Sequence, residues 1–208
     1  MERREAGRKA LVESTIACLS EKGFGATTFQ DIVKRANCTT GAIQHHFGSK
    51  NGLYIAVLDD LLEEFQAGLQ EFPDAGQTLE HRCDKTISTL ETLYTGERYG
   101  AIHSLILGAQ HDPELRDLVA SQRRNALAIT RRAWLDVFAG TGCSKDNLLS
   151  LFEIIVALLR DFHSNKTLGV DEARSRLEFN IAQLKRMVLL ELQARLSTAV
   201  GFQAIGAE

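Results

Sequence analysis

Proline is nearly absent. Only Pro73 and Pro113 interrupt the 208 residues, so almost nothing bars long helices. Alternating apolar and polar runs are missing too, and no Asn-Gly or Asp-Gly turn joins two β-branched runs, which argues against a sheet. The longest unbroken apolar run, Ile154 to Leu159, is six residues, against the roughly 18 that a membrane span needs. The N-terminal stretch MERREAGRK is charged and has no apolar segment of the secretory type. The four cysteines, Cys18, Cys38, Cys83 and Cys143, are far apart and form no CxxC pair, which reads as reduced thiols in a cytoplasmic protein. No nucleophile elbow, glycine-rich phosphate loop or helix-borne His-Glu zinc motif occurs, so no catalytic class is supported and no metal or cofactor is expected.

What is present is organised around Phe24 to Leu53. Thr28 precedes Phe29, Ile32, Val33 and Ala36, the i, i+3, i+4, i+7 pattern of a one-faced helix with a threonine N-cap. Asn37 suits the left-handed conformation in which helices end. Thr39 or Thr40 can cap a second helix, whose Ile43 and Phe47 turn back to the same core. Thr40, Gly41, Gln44 and His45 are then left facing outward. A short helix held by a turn and presenting small or hydrogen-bonding side chains is what a helix-turn-helix needs to read base edges. Neighbouring His45 and His46 point about 100° apart on a helix and cannot readily share a metal ion.

Around this unit the chain reads as all-helical. A first helix, Arg4 to Lys22, carries Val12, Thr15, Ile16 and Leu19 on one face and stops at Gly23. Arg3, Arg4, Arg8 and Lys9 at its start can reach phosphates or be solvated. After Gly48, Ser49 caps a helix reaching about Phe72, with Leu53, Ile55 or Ala56, Val57, Leu61 and Phe65 inward. Lys50 in its first turn is disfavoured by the helix dipole unless an anion is bound there. Five further helices are expected at about 78–94, 101–110, 113–139, 145–165 and 171–199, followed by a loose tail after Gly201. Asp112 with Pro113 starts one helix and Asp171 caps the last.

The charge divides unevenly. Residues 1–53 hold eight Lys/Arg against five Asp/Glu, a net +3, while the rest holds 16 against 22, a net −6. A basic head on an acidic body keeps attraction for phosphate local to the head. The expected organisation is a helix-turn-helix domain at 1–50, a connecting helix at 51–72 and a helical body at 73–208. Residues 148–162 and 184–192 are too apolar for a single stripe, so these helices need cover on two faces. A two-fold dimer built on them is expected, with Phe152, Ile155, Leu159, Leu184 and Val188 at its interface. A fully buried internal hairpin is the alternative.

The run EKGFGATTFQDIVKRANCTTGAIQHHFGSKNGL resembles the DNA-binding segment of TetR-family transcriptional regulators over roughly residues 8 to 58. The resemblance rests on the E-K-G-F entry, the T-T cap, the D-I-x-x-x-A helix and the F-x-S-K-x-x-L exit. Gln44 stands where the family very often has tyrosine, and Gly48 replaces a frequent proline. The resemblance implies a homodimer with each recognition helix in a major groove of operator DNA, and a pocket for a small-molecule effector in the body. It assigns Thr28, His46 and Lys50 to phosphate contacts, and Thr39, Thr40 and Gly41 to the start of the recognition helix. Gln44, in place of tyrosine, can pair bidentately with adenine. The body's aromatics Tyr99, Trp134, Phe138 and Phe162, with His103, are the expected pocket lining, although each also suits plain core. The expected function is thus a ligand-released repressor. A transcriptional activator of the same architecture, and a helical protein–protein interaction module with a purely structural helix-turn-helix, are the alternatives.

Overall fold

A computed structural model of the chain describes residues 2–169 and 171–205, without the side chains of residues 2, 3, 111, 166, 171–175 and 195–205. The phosphate role of Arg3 and the capping by Asp171 therefore lie outside the described residues. Among the described residues the chain forms nine α-helices and one short 3-10 turn. They are α1 (Glu2–Lys22), α2 (Phe29–Arg35), α3 (Thr40–Phe47), α4 (Lys50–Leu69), α5 (Leu79–Thr95), α6 (Glu97–Gly108), α7 (Pro113–Val137), α8 (Lys145–Thr167) and α9 (Asp171–Ile205), with the 3-10 turn at Ala109–His111. Two bounds differ clearly from expectation. Helix α6 begins four residues early, its N-cap Gly96 taking an extended conformation, and α9 continues past Gly201 to Ile205. Among the described residues no helix is long and apolar enough to cross a membrane.

The chain divides into two compact units that interleave in sequence: Met1–Gln66 with Gly96–Leu127, and Ala67–Thr95 with Ala128–Glu208. The borders fall within α4, between α5 and α6, and within α7.

The first unit is built on the apolar face of α1. Leu11, Val12, Thr15, Ile16 and Leu19 are all buried, and the Thr15 hydroxyl is satisfied by donating to the Leu11 carbonyl at 2.7 Å. Ile32 and Val33 from α2, Ile43 from α3, and Leu53, Val57 and Leu61 from α4 meet that face. Each such side chain, fully buried, contributes about 1.5–3 kcal/mol through the hydrophobic effect. Ala101 and Leu105 of α6 and Leu115 and Val119 of α7 close the same cluster. Polar ties fix the register of these helices. Arg98 of α6 reaches Glu13 of α1 at 2.9 Å, Asp60 of α4 at 2.5 Å, and also Glu64 of α4. The Asn51 amide donates to Glu114 at 2.8 Å and the Gln122 amide to Asp59 at 2.7 Å, so α4 is fastened to the start of α7 at two points.

In the second unit α5, α8 and α9 pack on one another. Trp134 of α7, Phe138 just beyond that helix and Phe152 of α8 are buried, the Trp134 ring centroid lying 4.4 Å from that of Phe138 and 5.9 Å from that of Phe152. The indole N–H donates to the Leu148 carbonyl at 2.8 Å. Arg82, itself buried, donates to the carbonyls of Val137 and Ala139 at 3.0 and 3.3 Å. That places a cation at the negative end of the α7 dipole.

Phe152, Ile155, Leu159, Leu184 and Val188, expected at a dimer interface, lie inside the second unit, each less than a tenth exposed. The exposed apolar residues are on the other faces of the same helices: Ile154 and Leu158 on α8, and Phe179, Met187 and Leu190 on α9. Trp134 and Phe138, expected to line a pocket, are sealed core with no free polar atom. A helix with two apolar faces has two candidate inner faces, and only packing chooses between them.

Candidate nucleic-acid interface

The head is set by local chemistry. The Thr28 side chain accepts from the Asp31 backbone N–H at 3.1 Å while the Asp31 carboxylate accepts from the Thr28 N–H at 3.1 Å, a complete capping box that starts α2. The Lys22 ammonium at 2.6 Å, the Thr28 hydroxyl and the Thr28 N–H together hold the Asp31 carboxyl down at about 2. Asn37 ends the turn with φ +50° and Gly48 ends α3 with φ +71°, both in the left-handed region that closes a helix. Ser49 accepts from the Gly52 N–H at 3.0 Å and so starts α4. Gly52 is required by space: a Cβ there would lie 2.0 Å from the Phe47 carbonyl oxygen. The exit from α3 is therefore pressed directly on the first turn of α4.

With Ile43 buried, α3 leaves Thr40, Gly41, Gln44 and His45 exposed in a row, and Thr39 beside them at its N-cap. Thr39 makes no capping hydrogen bond, so its hydroxyl is available to a partner. Gly41 has open space around it: beyond its chain neighbours and its own helix backbone, a Cβ placed there would meet, among the described residues, Thr39 Oγ1 at 3.9 Å. The row presents hydroxyls, a carboxamide, an imidazole and a gap, which suits close approach to base edges.

The other assigned residues are placed less simply. Thr28 is exposed but its hydroxyl is committed to Asp31. His46 is half-buried beside α1, its Nε2 3.5 Å from where a Cβ on Gly7 would be. Burial lowers its pKa, and His45, Arg4 and Arg8 push the same way, favouring a neutral ring that can still hydrogen bond. The His45 and His46 rings meet edge to face at 5.2 Å rather than converging on one point. Lys50 is exposed. Its Nζ lies over the Phe24, Phe29 and Tyr54 rings, whose faces attract a cation and so offset the unfavourable helix position.

Of the basic residues of the head, Lys22 is paired to Asp31 and Arg35 to Glu21, the latter through two 2.7 Å bonds. Among the described residues Arg4, Arg8, Lys9, Lys34 and Lys50 carry no carboxylate partner. Arg8 stacks its guanidinium on Phe47 at 5.6 Å, a placement that sequence reasoning missed because the two are 39 positions apart. Of the expected pocket residues, Tyr99 and His103 belong to the first unit and Phe162 to the second. Tyr99 is buried and His103 half-buried, with burial lowering the His103 pKa.

A three-helix core, a capped second helix and an exposed short third helix define a helix-turn-helix DNA-binding domain. Residues 11–57 match the family described as bacterial regulatory proteins, tetR family. Over 64 residues the chain is 36% identical to the HTH-type transcriptional regulator BetI of Burkholderia thailandensis, which covers 31% of this chain and 33% of that protein. The chain thus spans about a third of the length of the curated relatives it matches. In solved structures the fold is shared over most of its length. A transcriptional regulator from Rhodococcus sp. Rha1 superposes with TM-score 0.68 at 22% identity, covering 88% of this chain and 96% of that one. NalD, the secondary repressor of the MexAB-OprM multidrug efflux pump in Pseudomonas aeruginosa, superposes with TM-score 0.59 at 18% identity, covering 89% and 97%. Residues 11–57 thus form a DNA-binding segment of the kind described for bacterial regulatory proteins of the tetR family.

Proposed function

We propose that this protein is a ligand-responsive repressor that binds a near-palindromic operator as a homodimer and is released by a small-molecule effector. The observation that carries the DNA-binding part is the exposed row from Thr39 to His45 on and beside a short helix closed by Gly48 in the left-handed conformation, flanked, among the described residues, by cations without carboxylate partners. Phosphate contacts by Arg4, Arg8, Lys9, Lys34 and Lys50 supply most of the affinity, and the row supplies the sequence choice.

The dimer is supported by the exposed residues Ile154, Leu158, Met187 and Leu190, an apolar surface on two neighbouring helices that a solvated monomer would not favour. Two heads on such a dimer read two half-sites at a spacing the dimer fixes. The effector acts only through tighter binding to the state whose heads no longer match adjacent grooves. Helix α4 carries Lys50 at one end and continues covalently beyond Gln66, so it is the natural lever.

Fluorescence anisotropy with a random-sequence duplex at low salt tests the first step. Micromolar binding that weakens steeply as salt rises is expected. Salt-insensitive or absent binding would favour a protein–protein module instead. Selection from genomic fragments then identifies the operator. Sedimentation of the protein and of Met187→Glu tests the dimer, with dissociation expected for the variant.

A further inference from the structure

Lys50 is exposed, yet its ammonium is held. Nζ lies 5.3 Å from the ring centroid of Phe24, 5.9 Å from Phe29 and 5.6 Å from Tyr54, all within the range of a cation–π attraction. The rings come from three places: the loop after α1, the first residue of α2 and the second turn of α4. Phe24 and Tyr54 also touch each other, with centroids 5.5 Å apart, and Tyr54 is fully buried.

Phe24 is seated in turn on α6. A Cβ built on Gly108, the last residue of that helix, would fall 2.1 Å from Phe24 Cγ. Gly108 has φ −66° and ψ −31°, an ordinary helical conformation open to any residue. Its lack of a side chain therefore answers to the ring and not to the backbone.

We propose that Phe24, Phe29 and Tyr54 form a cage that presets the Lys50 ammonium for a DNA phosphate, and that Gly108 is the seat that sets the position of the cage. The proposal rests on the DNA-binding reading of the head and adds three positioning residues and a seat to it. A free lysine must give up rotamer freedom to meet a phosphate. A lysine already parked over three rings has given up much of that freedom, and its remaining N–H donors still face solvent.

A double-mutant cycle on anisotropy with a random-sequence duplex, titrated between about 50 and 200 mM salt, provides the test. Lys50→Ala is expected to weaken binding and to lower the salt slope by about one. Phe24→Leu should weaken binding about two- to fivefold and change nothing in the Lys50→Ala background. Gly108→Ala should mimic Phe24→Leu. Thermal unfolding of each variant shows that it is folded. If Gly108→Ala does not fold, the Phe24–Lys50 cycle decides alone. Equal loss from Phe24→Leu with and without Lys50, or tighter binding by Phe24→Leu, overturns the proposal. So does a Lys50→Ala variant that binds like the parent while the parent binds DNA normally. No salt-sensitive binding by the parent removes the DNA-binding reading itself.

Discussion

Arg98 is the most informative single position for stability of the first unit. Its guanidinium holds Glu13 from α1 and Asp60 and Glu64 from α4, one cation among three carboxylates. Replacing it with methionine keeps most of the aliphatic packing and removes only the charge and its hydrogen bonds. The four side chains are 30–55% exposed, so each pair is worth the modest amount of a screened surface ion pair, about 0.2–1 kcal/mol. Three pairs, with the carboxylates then left to repel one another, give an expected loss of roughly 1–3 kcal/mol. In a chain of this length that lowers Tm by roughly 2–4 °C per kcal/mol. Urea unfolding followed by circular dichroism at low salt and at 1 M NaCl is the assay. Because the Debye length shrinks from about 10 Å at 0.1 M to about 3 Å at 1 M, the gap between variant and parent should narrow markedly at high salt. A gap that salt leaves unchanged would mean that Arg98 acts through packing, and the electrostatic account would fall.

Three further outcomes follow from the geometry. Gly52→Ala sets a Cβ against the Phe47 carbonyl oxygen and should cost about 1–3 kcal/mol by overpacking; a urea midpoint equal to the parent's would refute the contact. Asp31 has its native pKa lowered to about 2 from 3.8, so its contribution is complete above pH 3.8 and is lost as pH falls toward 2. Asp31→Asn should therefore be less stable than the parent at neutral pH, and the difference should shrink across that acid window in a pH series of melts. Trp134, the sole tryptophan, is fully buried with its N–H bonded to Leu148. Its emission should be blue-shifted and resistant to iodide, and Trp134→Ala should cost about 3–5 kcal/mol; ready quenching in the folded protein would contradict its place in the core.

What the chain could announce by itself was local. Thr28 with Asp31, Asn37, Ser49 and Asp112 with Pro113 are stop and start signals whose partners lie within four residues, and all of them close or open the helices expected of them. One-sided periodicity in α1 to α4 was enough to place Val12, Ile16, Ile32, Ile43 and Leu61 inside. The outward row of α3 followed by subtraction. Distant partnerships were not legible, because periodicity names a face but never the neighbour that covers it. Thus α6 and the front of α7 join the helix-turn-helix core, and Arg98 finds carboxylates up to 85 positions away. The same limit applies to α8 and α9. Both faces are apolar enough to bury, and the packing of α5, α8 and α9 chose Phe152, Ile155, Leu159, Leu184 and Val188 as the inner set. Lys50 shows the two levels together: its position in the first turn is a fact of sequence, whereas the three rings beneath its ammonium are gathered only by the fold.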